Sequence, residues 1–273
     1  MRRSTAMALT LVIGCGGGGG SPDASTAPDA AGQGTITFAW TMNDPDSAPL
    51  TCDDVGGVSV RITATPAIGG FAQVDAFDCA LGSATTHLID PVNYNVAFRL
   101  TANVGGPQAL ADDVTMNGVK VNAGADSNIG SVAFEVVPSG GFHFTVTADI
   151  GPNCPLVADG GAEITAFEVE LVDATDTCVP TDFCIDDADT AAGCQGTLYS
   201  NDCAGATTAC VDSTAVWSVV GAVSGPHRLQ ITGHRNAEAC FYRDAQIQIP
   251  GANLDRNLGS QLVSQTCGVD AAP

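Results

Sequence analysis

Apolar and polar residues alternate at period two through most of this chain, with turn-forming residues at intervals of roughly eight to twelve positions. Alternation of that kind sends successive side chains to opposite faces of an extended strand, so it admits a half-buried sheet and little else. Ile36, Phe38 and Trp40 fall on one face, with Thr35, Thr37 and Ala39 on the other. Val58, Val60 and Ile62 repeat the pattern, as do Tyr94, Val96, Phe98 and Leu100, then Val132, Phe134 and Val136. Helical periodicity is nowhere sustained. With 32 glycines and 14 prolines to supply turns, the expected fold class is all-β, built as antiparallel sandwiches.

The second half of the chain echoes the first. Phe142-His143-Phe144-Thr145-Val146-Thr147 matches Ile36-Thr37-Phe38-Ala39-Trp40-Thr41, and each run is followed by a cysteine-bearing loop and a long apolar run, Val58 to Ala64 or Ile164 to Val172. Late in each half, Val121-Asn122-Ala123-Gly124-Ala125-Asp126-Ser127-Asn128-Ile129-Gly130-Ser131 reads beside Ile249-Pro250-Gly251-Ala252-Asn253-Leu254-Asp255-Arg256-Asn257-Leu258-Gly259-Ser260. Two tandem domains are expected, at 34–138 and 141–267, with the joint near Pro138-Ser139-Gly140-Gly141. Each is long enough to bury a core of its own. The phrase Leu88-Ile89-Asp90-Pro91-Val92-Asn93-Tyr94-Asn95-Val96 is similar to a strand start found in prealbumin-like and immunoglobulin-like bacterial modules, which implies that Tyr94 packs into the sandwich. Gly225-Pro226-His227-Arg228-Leu229-Gln230-Ile231 stands in the corresponding place of the second half.

The N-terminal stretch has a different character. Met1-Arg2-Arg3 precedes a short apolar run from Ala6 to Ile13, then Val12-Ile13-Gly14-Cys15. A basic start, an apolar run well short of the roughly 20 residues a bilayer-spanning helix needs, and a small residue before the cut make a secretory signal. Its last residues resemble the lipobox of bacterial lipoproteins. The resemblance implies that residues 1–14 are removed and that Cys15 becomes an acylated N-terminus. It also implies a membrane partner through that anchor and, with Gly16 rather than Asp in second place, the outer membrane as destination, facing the periplasm or the cell surface. Residues 15–33, rich in Gly, Ser and Pro, form a spacer that cannot build a core.

Eleven cysteines become ten once Cys15 is set apart, an even number suited to five disulfides in an oxidising compartment. Cys52 and Cys79 stand alone in the first half and are expected to pair. The pairing of Cys154, Cys178, Cys184, Cys194, Cys203, Cys210, Cys240 and Cys267 is left open by their spacing. No Cys-x-x-Cys pair suggests zinc. Residues 178–210 carry five of these cysteines among Asp, Thr, Ala and Gly, so an inserted loop held by disulfides is expected, and it is the first candidate surface for a protein or glycan partner. Asp182, Asp186, Asp187 and Asp189 are its candidate calcium ligands, although they lack the alternating order of a calcium loop.

Net charge is −21, which argues against nucleic acid as a partner. From Val121 to His227 there is no Lys or Arg and there are 15 acids, whereas Arg228, Arg235, Arg243 and Arg256 crowd the last strands. Two readings follow: a solvated acidic surface, or arginines that pin the acidic insertion to the second sandwich. His87, His143, His227 and His234 form no constellation, and no nucleophile elbow, zinc-protease pair or phosphate loop appears. Enzymatic activity has no positive sign, and no cofactor other than calcium is suggested. Tyr199 and Tyr242 are the aromatics expected off the core faces, too few for a sugar-stacking platform. The expected role is non-catalytic binding or structure in the cell envelope. A calcium-dependent adhesion or glycan-binding module is the alternative, and a hydrolase without a recognisable motif the third.

Overall fold

The alternation resolves into strands. In the computed structural model, which describes residues 32–186 and 194–267, the first half holds β1 (Thr35–Asn43), β2 (Pro49–Leu50), β3 (Gly57–Pro66), β4 (Gln73–Asp78), β5 (Ser83–Thr85), β6 (Asn93–Asn103), β7 (Pro107–Ala109), β8 (Val114–Lys120) and β9 (Asp126–Glu135). The second half holds β10 (Ser139–Ala148), β11 (Ala166–Asp173), β12 (Cys178–Val179), β13 (Thr181–Ile185), β14 (Thr197–Asn201), β15 (Thr208–Ala209), β16 (Val216–Val223), β17 (Gly225–Arg235), β18 (Glu238–Ile249) and β19 (Asp255–Gln265). One α-helical turn lies among the described residues, α1 (Cys52–Val55). Its ends fix it: Thr51 and Asp54 cap each other reciprocally, and Gly56 closes it in the left-handed region at φ +65°.

In the first half, one sheet is ordered β2-β1-β5 with β9 alongside β1, and the other is ordered β4-β3-β6 with β7 and β8 on β6. Ile36, Phe38 and Trp40 of the first sheet meet Val60, Ile62, Phe98 and Leu100 of the second in a buried cluster. Val58, expected in this core, is 53% exposed. The ladder between β3 and β6 shifts between Gly57 and Ser59, and this bulge reverses the parity of the residues before it.

In the second half, β12-β11-β17-β18 and β19-β10-β16-β13-β14 form the two faces, joined at one corner where Phe241 and Tyr242 pair with Gln265 and Ser264. Their core is separate from the first, with Trp217 fully buried among Phe144, Phe167, Phe183 and Tyr199. The described part of residues 178–210, expected as an inserted loop, contributes the strands β12 to β15. Tyr199, expected off the core, is 5% exposed, and its hydroxyl donates to the carbonyl of Ala206 at 2.7 Å. Burial of Phe183, Ile185 and Tyr199 therefore works beside the disulfides in holding this segment.

The two halves repeat one connectivity. The first and last strands of each pair in parallel, β1 with β9 and β10 with β19. The equivalent antiparallel pairs are β3–β6 and β11–β17, β1–β5 and β10–β16, β6–β8 and β17–β18. The late sequence echo has a structural cause. Both parallel ladders shift register there, with Gly130 at φ +83° and Gly259 at φ +69°. Their amides donate to the side chains of Asn128 and Asn257 at 2.9 and 2.7 Å. Gly140 and Gly141, expected in the joint, lie inside β10, where a Cβ would run into the carbonyls of Pro250 and Val219. Only Val136 to Pro138 separate β9 from β10.

Candidate functional site

A polar cleft of about 570 Å³ opens on the second half, between the β11–β12 turn and the outward residues of β17 and β18. The turn is built by Asp173, whose carboxylate accepts from the amides of Thr175 and Thr177 at 2.7 and 3.0 Å and from the Thr175 hydroxyl at 2.7 Å. The Thr177 amide, then the Thr175 hydroxyl, hold its carboxyl below the usual range. Asp176 follows with φ at +62°. Parity on β17 sends Arg228 outward between the β11–β12 turn and β18, each of which supplies an acid. Its guanidinium lies 3.2 Å from Asp176 and 3.8 Å from Asp244, while its Nε is buried without a partner among the described residues. Arg256 reaches in from β19 and donates to the Gln248 carbonyl at 3.0 Å. His227 is buried, with Nδ1 3.1 Å from the Gly225 carbonyl.

The cleft can hydrogen-bond a polar ligand through guanidinium, amide and carboxylate groups. Its lining contains no hydroxyl or thiol nucleophile. Among the described residues, two of the arginines bond outside the cysteine-rich segment. Arg228 pairs just outside it, and Arg235 donates to the Ala162 carbonyl at 2.7 Å. The outer face beside the cleft is acidic. Burial, and then the neighbouring Glu168, push the Glu170 carboxyl up.

Three histidines that read as solitary each have a carboxylate neighbour. His87 Nδ1 lies 2.7 Å from buried Asp75, His143 Nδ1 lies 2.5 Å from Asp255, and His234 Nε2 lies 3.5 Å from Glu168. The last two pairs join adjacent strands, so strand parity and a known register would have revealed them. His227 and His234 point to opposite faces of β17, as their odd spacing requires.

Of the candidate calcium ligands, Asp182 and Asp186 are exposed at either end of β13, whereas Asp187 and Asp189 lie outside the described residues. Among the described residues no group of three His, Cys, Asp or Glu is placed to hold a metal. Cys52 is bonded to Cys79, Cys154 to Cys210, Cys178 to Cys203, Cys184 to Cys194, and Cys240 to Cys267. Cys15 lies outside the described residues. No helix among those residues is long and apolar enough to cross a membrane.

No family model matches the chain, and no curated protein does. Among solved structures it is similar to the Bacillus anthracis TIE protein, at TM-score 0.31 and 10% identity over 86% of this chain and 35% of that one. The chain thus spans about a third of that protein's length. It is also similar to the shaft pilin SpaA from Lactobacillus rhamnosus GG, at TM-score 0.29 and 10% identity over 87% and 99% of the two chains. The minor pilin GBS52 of Streptococcus agalactiae aligns at TM-score 0.27 and 7% identity over the same shares. Likenesses this distant carry no argument here, and the functional reading rests on the geometry above.

Proposed function

We propose that this chain is a lipid-anchored, non-catalytic module of the bacterial outer envelope, made of two sandwich domains in a row. The carrying observation is the position of the tether relative to the joint. β1 and β9 run in parallel, from Thr35 beside Asp126 to Asn43 beside Glu135. The spacer therefore meets the fold at one end of the first half and the second half begins at the other, about 30 Å away for strands of nine residues. Such a chain projects its second half, with the Arg228 cleft and four of the five disulfides, away from the anchor. That half is the surface offered to a protein or glycan partner. The test is to follow Cys15→Ala in producing cells fed a labelled fatty acid. The natural chain should take up label and fractionate with the outer membrane, and the variant should do neither. An unlabelled natural chain, or a variant still held in the membrane fraction, would overturn the anchor.

A further inference from the structure

We propose that the tether end of the first half is a membrane foot: Ile68 and Phe71, with Leu88 and Val92, seat in the head-group zone of the bilayer that holds Cys15. The inference rests on the tether reading of Cys15. The loop between β3 and β4 reads Ala67-Ile68-Gly69-Gly70-Phe71-Ala72, without one charged or hydrogen-bonding side chain. Ile68 is 92% exposed and Phe71 is 99% exposed. Leu88 and Val92, from the segment between β5 and β6, are exposed and line the same shallow cleft as Phe71. Single apolar residues on a surface are ordinary, but a cluster of exposed apolar side chains at one end of a fold marks a contact surface.

The path of the chain says what that contact is. Gln33 lines the same cleft, and Gly34 exchanges two backbone hydrogen bonds with Ile89, each 2.9 Å. The spacer therefore leaves the fold at this cluster. A Gly/Ser/Pro-rich linker as long as residues 15–33 has a typical reach on the order of 25 Å, so an anchor at Cys15 keeps this end, and not the opposite one, against the bilayer. Charge agrees with the orientation. Asp90 is the acid lining the cleft with Phe71, and Lys120 stands in register with nearby Asn93, whereas the whole chain carries net charge −21. A zwitterionic surface accepts such a foot, while the acidic remainder gains nothing from lying down.

The chain from Cys15 onward, with its disulfides formed, has Cys15 as its only thiol among eleven cysteines, because the other ten are bridged. It is coupled through that thiol to phosphatidylcholine vesicles bearing a maleimide lipid, as the F71W variant. Trp40 and Trp217 are buried, so the added indole reports the foot. Its emission should shift to the blue on coupling, be quenched by phosphatidylcholine brominated in the acyl chains, and be shielded from aqueous acrylamide. Adding I68S should weaken all three effects. An indole that stays red, unquenched by bromine and open to acrylamide overturns the foot. So does a blue shift that grows with protein concentration in the absence of vesicles, which would assign the patch to a second copy of the chain. Because the coupling is chemical, this result is independent of whether cells acylate Cys15, which the C15A experiment decides separately.

Discussion

Asn153 is 1% exposed and spends its whole amide inside the protein. Its Oδ1 accepts from the Ala148 amide at 2.9 Å, and its Nδ2 donates to the carbonyls of Val146 at 2.9 Å and Val211 at 3.0 Å. The next residue, Cys154, bridges to Cys210 and fastens the same spot covalently. Asn153→Ala would leave a buried amide and two carbonyls unpaired, at a cost of about 2–3 kcal/mol. Urea unfolding should show it, and a loss under about 1 kcal/mol would mean that water replaces the side chain. Nothing in Gly151-Pro152-Asn153-Cys154 separates this asparagine from any turn residue, because one of its partners lies 58 positions away. The partner of Cys52 was open to reading because the first half holds one other cysteine, Cys79, to which it is bonded. The other eight admit many pairings until strand order is known.

At the level of elements, the two parallel-ladder bulges are the clearest case of a sequence repeat with a mechanical cause. Gly259 sits at φ +69° with open space around it, so Gly259→Ala meets no clash and costs only the left-handed backbone, about 1–2 kcal/mol. Gly130→Ala in the first half should lose a similar amount by the same measurement, and a neutral result at both would show that the bulge is dispensable. The echo was legible because this geometry demands the same Asn and Gly twice. The bulge at Val58 was not, since an extra residue in β3 leaves the alternation looking intact. Residues 178–210 were legible as a disulfide-rich insertion, but the strands in their described part were not. Their few large apolar residues complete a core whose remaining walls are supplied by β10, β11 and β16. On β11, the raised carboxyl of Glu170 sets a sign. A folded-state pKa above the unfolded one means that the carboxylate form opposes folding, and this penalty grows as pH rises through the carboxylate range. Glu170→Gln should therefore raise the melting temperature at pH 7, by the equivalent of about 0.5 kcal/mol or less for a partly exposed group. The gain should vanish below about pH 4, where the unfolded glutamate is protonated too.

The whole molecule has a direction. The described chain enters beside Ile89, the first core follows, and the second half begins where α1 meets it. There the carbonyls of Asp53, Asp54 and Val55 accept from Gln248 Nε2 at 2.7 Å, Ser224 Oγ at 2.5 Å and the Gly251 amide at 2.9 Å. A capped helical turn of four residues thus supplies the acceptors by which one half grips the other, and it was invisible to a search for helical periodicity. Parallel pairing of first and last strands has one more consequence. A pull between Gln33 and Val136 runs lengthwise along β1 and β9 in opposite senses, so every hydrogen bond of that ladder resists at once instead of parting one after another. Between Pro138 and Thr266 the same holds for β10 and β19. Stretched between Gln33 and Thr266, the protein should yield in abrupt, high-force ruptures instead of a low plateau.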